Sequence, residues 1–170
     1  MEIIDFTFLI ILYFIFFFKK WQKLGKQKLF IKTIMYIYIC FVLYFTLMPI
    51  ITELPFIFNH PYHSMNMIPF VDVIGSRGDF IRQIVLNVVM MIPFGILYSM
   101  IHKNENKLFI RTIFSCFLFS LIIELVQPLI NGIHTSDITD LITNVFGGFI
   151  GYLIYIIFKP LIFKIINKII

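Results

Sequence analysis

Among the polar residues within, or at the edges of, long apolar runs, three carboxylates and three amides stand out. Glu124 and Gln127 lie toward the end of one run, Asp137, Asp140 and Asn144 open the next, and Asn87 lies in an earlier one. A charged side chain at the centre of a membrane helix costs roughly 2.5–3.5 kcal/mol on the insertion scale, so each such residue needs a partner or a function. Glu124 and Asp140 are the candidate catalytic residues, because two carboxyl groups whose proton affinities are separated by burial can act as general acid and base. The alternative for Glu124 is a structural hydrogen bond to a neighbouring helix. The sequence offers no nucleophile beside a base and no phosphate-binding glycine loop. The histidines at 60, 63 and 134 do not have metal-ligand spacing. No metal and no cofactor is therefore expected, and the chemistry on offer is proton transfer or the orientation of a polar headgroup.

Spacing places these groups on defined faces. Gln127, three positions after Glu124, shares its helical face. At 100° per residue, Asp137, Asp140 and Asn144 fall within about 60° of one another. Their stripe continues into Gly147 and Gly151, with Gly148 beside it, a small-residue pattern that admits a close helix neighbour. The acids are thereby expected to face the bundle interior. Ser136 or Asp137 is also a natural N-cap, and Asn144, too deep for capping, could simply bond across helices. Arg82 and Gln83 stand at the mouth of the run containing Asn87, and Pro93 frees the Val89 carbonyl and bends that helix.

The elements that must hold these residues are membrane helices. Of the 170 residues, 60% are hydrophobic and 14% charged, and the mean hydropathy is +0.96, outside the usual range for a water-soluble domain. The net charge of +5 reads as a topology signal and not as a nucleic-acid surface. Cys40 and Cys116 lie in apolar runs and read as packing residues. The first run has no cation before it and no small-residue cleavage site, so it is expected to remain as a membrane segment. Five spans are predicted: Ile3 to Phe18, Thr33 to Ile51, Ile84 to Ile101, Ile110 to Ile130 and Ile138 to Phe158. The predicted fold is therefore an all-α polytopic bundle in a single transmembrane domain, residues 1–170.

Twelve of the 14 lysines and arginines fall in loops one and three and the C-terminal tail; only Arg77 and Arg82 lie in loop two. The positive-inside rule then puts the C-terminus in the cytoplasm and the N-terminus outside. Loop two, from Thr52 to Gln83, is rich in proline and glycine and is expected to be an ordered or re-entrant segment. Its Met65 to Phe70 stretch, MNMIPF, would serve as a lid or substrate platform. Spans three, four and five all carry their polar groups toward one leaflet. The expected ligand-binding pocket is formed by Asn87, Glu124, Gln127, Asp140 and Asn144. Asp137, Arg82, His134 and loop two, through Asn66, lie at its rim.

Taken in order, Tyr44 to Pro49, Asn66 to Phe70, Asn87, Pro93-Phe94-Gly95, Ser120, Glu124, Gln127, Asp137, Asp140, Asn144, Gly147 and Gly151 resemble the VanZ-like family over about residues 36–158. Residues 1–35 add a helix and a basic loop. The resemblance implies a bacterial plasma-membrane protein of the cell envelope connected with teicoplanin resistance, and it carries no catalytic assignment. The family pattern usually has an arginine three residues before the first aspartate of its DxxD element, where this chain has His134. The leading expectation is a non-enzymatic protein binding a lipid-linked wall precursor or a lipoglycopeptide at the outer leaflet. An acid/base enzyme acting on a polyprenyl-linked or phospholipid substrate, and a structural helix-packing protein, are the alternatives.

Overall fold

The structure, a computed structural model, describes residues 2–53, 62, 64–75, 78–103, 106–130 and 136–169. The described elements are α1 (Glu2–Leu12), a π-helical run (Tyr13–Phe18), α2 (Lys19–Gln22), α3 (Lys26–Thr46), α4 (Val71–Gly75), α5 (Phe80–Ile101), α6 (Leu108–Ile130) and α7 (Ile138–Ile169). Extended pairing among the described residues is confined to one parallel bridge, between Asn66 and Asp137. Among the described residues, four helices, α3, α5, α6 and α7, are long and apolar enough to cross a membrane. The N-terminal stretch runs helically from Glu2 to Gln22, but the π-helical run divides it, so neither α-helical piece reaches that length alone.

The helix ends differ from the predicted spans for identifiable reasons. Gly25, at φ +93°, ends the N-terminal stretch and lets α3 begin at Lys26, so that Lys26, Lys28 and Lys32 become helical. α3 stops at Thr46, ahead of Pro49, because the residue before a proline is disfavoured in the helical region. α7 continues through Pro160 to Ile169. Its 32 residues make it about 48 Å long, well beyond the roughly 30 Å hydrocarbon thickness.

The bundle is apolar outside and carries polar groups among the apolar side chains of its interior. Phe45, Val85, Phe114 and Ile157 are exposed, whereas Ser99, Thr112, Ser120 and Asn144 are buried. This suits a lipid solvent, where helix association rests on close packing and interhelical hydrogen bonds. The most extensive interface joins α5 to α7, and glycine is its cause. A Cβ on Gly95 would strike the Gly148 carbonyl oxygen, one on Gly147 the Val88 carbonyl, and one on Gly151 the Ile92 carbonyl. Gly148 turns to the other side, where a Cβ would meet Cys116 of α6. Tyr38 of α3 donates to the Met90 carbonyl at 2.8 Å, three residues before Pro93. Ser99 and Thr112 join α5 and α6 at 3.2 Å.

The two ends of the bundle differ in charge. At one end Asp5 accepts from the Ile51 amide at 2.9 Å, and Asn66, Asn87, Glu124, Asp137 and Asp140 meet. At the other, Lys28, Lys32 and Lys103 surround a small cleft with Gln27 and Phe163, bringing the start of α3, the end of α5 and the tail of α7 together.

Candidate functional site

The acidic end is organised by a proline. Pro128 lies inside α6 and has no N–H, so the Glu124 carbonyl four residues earlier loses its intrahelical partner. The Ser136 hydroxyl donates to that carbonyl instead. The Glu124 side chain, 3% exposed, completes the clamp: its Oε2 accepts the Asp137 backbone N–H at 3.2 Å. Glu124 thereby grips the entry to α7 through both its main chain and its carboxylate.

Asp137 is the N-cap of α7, and its Oδ1 accepts the Thr139 amide at 2.7 Å. Its Oδ2 accepts from Asn66 Nδ2 at 3.0 Å, while the Asn66 backbone pairs with Ser136 O and Ile138 N at 2.9 and 3.0 Å. The segment after Asn66 is held by the Phe70 amide donating to Thr139 Oγ1 at 2.9 Å. In an ordinary capping box, an acid three residues after the cap would reach back to the cap's own N–H. Asp140 stands at that position but turns to α5, where its Oδ1 accepts from Asn87 Nδ2 at 2.6 Å. Glu124, from a different helix, takes the backbone donor that Asp140 leaves.

Three predicted site residues lie apart from this cluster. Asn144 is buried one turn deeper and donates to Ser120 Oγ at 2.9 Å, while its Oδ1 is buried without a hydrogen-bond partner among the described residues. Gln127 donates to the Thr46 carbonyl at 3.2 Å, satisfying the open end of α3. Arg82 is exposed near the start of α5 and has no hydrogen bond or ion pair among the described residues. His134 and Arg77 lie outside the described residues, as do the histidines at 60 and 63. Among the described residues, no group of three His, Cys, Asp or Glu side chains is placed to hold a metal ion.

Several residues that build this end carried little weight in the sequence. Pro128 follows Glu124 by four, a spacing that marks a freed carbonyl, and Ser136 is its answer. Asp5 lies inside the first predicted span, Ile3 to Phe18; it is 3% exposed, and its Oδ2 is buried without a partner among the described residues. A lone carboxylate in an apolar run was the signal that could have found it.

The apolar surface beside the acids belongs to the loop. Met67, Ile68, Phe70 and Ile74 are exposed, with Ile74 reaching 80%. The acidic end thus joins fixed carboxylate and amide groups to a neighbouring apolar ledge.

The VanZ/LLP1 family model matches residues 6–159 and so takes in the first helix as well as the site. Protein VanZ of Enterococcus faecium is 36% identical over 99 residues, which are 58% of this chain and 56% of that protein. The chain therefore aligns with little more than half of that relative's length. No solved structure matches.

Proposed function

Because the chain belongs to the VanZ/LLP1 family, we propose that it is a multi-pass protein of the bacterial plasma membrane that binds a lipidic or lipoglycopeptide ligand and lowers susceptibility to teicoplanin-type glycopeptides. The N-terminal stretch serves as a fifth span in this reading, with the N-terminus outside and the C-terminus cytoplasmic. The cationic end then faces the cytoplasm, in keeping with the positive-inside rule. The acidic end faces the outer leaflet, where lipid-linked wall precursors and glycopeptide acyl tails are found.

The supporting observation is the convergence of Asn66, Asn87, Glu124, Asp137 and Asp140 beside the exposed Met67, Ile68, Phe70 and Ile74. Apolar contact with the ledge supplies affinity, and the fixed acids and amides orient the polar head, the usual division of labour in a ligand site. The test expresses the chain and its Glu124→Gln and Asp140→Asn variants in a susceptible Gram-positive strain. Teicoplanin tolerance should fall toward that of cells lacking the protein while membrane accumulation stays normal. Unchanged tolerance in both variants overturns the reading.

One observation favours a second reading, a purely structural role. Glu124, Asp137 and Asp140 each accept a hydrogen bond from within the protein. Under that reading the same substitutions lower accumulation and tolerance together, and tolerance per folded molecule does not change.

A further inference from the structure

A crevice of about 450 Å³ lies between the N-terminal stretch and α3 and α5, and no carboxylate lines it. Leu12, Phe17, Met35, Ile39 and Ile101 contribute to its apolar walls, and Lys32, Trp21 and His102 line its cationic end. The π-helical run helps to shape it. Leu12 and Phe17 both line the crevice although they are five residues apart, a step that in an unbroken α-helix would carry Phe17 about 140° off that face. The wider π-helical turn restores the alignment.

Such a space calls for a particular occupant. Water finds few partners along apolar walls, and a void forfeits the dispersion contacts of its lining. A hydrocarbon chain from the surrounding bilayer satisfies both conditions. The polar groups specify its head. Lys32 is half-buried with Nζ 5.6 Å from the centre of the Trp21 ring, and Lys20 and Lys28 stand near enough to repel it. His102 donates from Nδ1 to the Tyr98 carbonyl at 3.0 Å, which leaves Nε2 as the ring's open nitrogen. The described residues at this end, 13–35, 98–103, 106–111 and 156–169, include no carboxylate to neutralise these cations.

We propose that this crevice binds an anionic phospholipid, with one acyl chain between the N-terminal stretch and α3 and the phosphate on Lys32. The site is independent of the acidic end and of whatever ligand binds there.

Native mass spectrometry of the purified protein tests this, using phosphatidylglycerol and phosphatidylcholine with the same acyl chains. The wild type should keep phosphatidylglycerol under conditions that strip phosphatidylcholine. Lys32→Gln should weaken retention about fivefold, the effect of one basic side chain at a membrane surface, and Lys32→Arg should restore it. Ile39→Trp, which fills the crevice, should abolish retention, whereas Lys168→Gln should not change it. Equal retention of the two lipids, or an equal loss in Lys168→Gln and Lys32→Gln, overturns the proposal. Thermal melts of Lys32→Gln and Lys32→Arg that match the wild type ensure that the charge comparison reads binding and not folding.

Discussion

The α5–α7 interface and the contact between the N-terminal stretch and α3 solve the same problem in opposite ways. At α5–α7, Gly95, Gly147 and Gly151 remove the side chains, and carbonyl oxygens of one helix occupy the space where a Cβ would stand on the other. At the N-terminal stretch the backbones stay apart and long side chains bridge them. Tyr36 donates to the Leu9 carbonyl at 2.7 Å, Tyr13 meets Thr33 at 2.7 Å, and the Phe17 and Trp21 rings pack at an angle against Tyr36. In lipid the first arrangement gains its strength from close packing, which leaves no room for adjustment. The second leaves a crevice that lipid can enter. The site residues Asn87, Asp140 and Asn144 are carried on the rigid pair, as a fixed hydrogen-bond geometry requires.

The sharpest way to break this contrast is Gly151→Leu. The added side chain has to displace the Ile92 carbonyl, a backbone group that cannot turn aside. Overpacking of this kind costs on the order of 3 kcal/mol or more, so monodisperse protein should be lost on size-exclusion chromatography. A bulky residue at the exposed Ile10 of α1 should be tolerated in the same assay.

Ser136→Ala is expected to have an intermediate effect. It leaves the Glu124 carbonyl, already freed by Pro128, without its donor, and a buried unpaired acceptor costs about 1–3 kcal/mol. Thermal melting in detergent should register that loss, and hydrogen exchange should rise at the Asp137 and Thr139 amides that this corner holds. Protection unchanged at both amides would show that the corner does not depend on the serine.

The smallest effect is expected at the loose contact. Tyr13→Phe removes one hydrogen bond to Thr33, and interhelical side-chain bonds in membranes average about 0.6 kcal/mol. The melt should barely move, while crosslinking between cysteines placed in α1 and α3 should decline. A destabilisation as large as that of Ser136→Ala would mean that the two regions are equally rigid.

Much of the acidic end was legible in the sequence. A carboxylate in an apolar run is conspicuous because lipid penalises it, and helical periodicity alone put Asp137, Asp140 and Asn144 on one stripe with Gly147 and Gly151. The partners were not legible. Asn66 reaches Asp137 across 71 positions and Asn87 reaches Asp140 across 53, and no local spacing encodes such meetings. Helix limits were least secure where a single backbone feature decided them. Gly25 started α3 early, and α7 ran on past Pro160 because Ile162, Phe163 and Ile166 found apolar neighbours near the ends of α3 and α5.

By itself, the sequence determined that this chain is helical, apolar toward its surroundings, charged asymmetrically at its loops and equipped with a set of costly acids and amides. Those properties follow from composition and from the fixed 100° step of a helix, which act residue by residue. Only the tertiary structure decided which donor each carboxylate receives, that Glu124 takes the amide a capping acid would ordinarily hold, and that a crevice remains beside α3. Those outcomes depend on how close one helix comes to another, which is set by packing between residues remote in the chain.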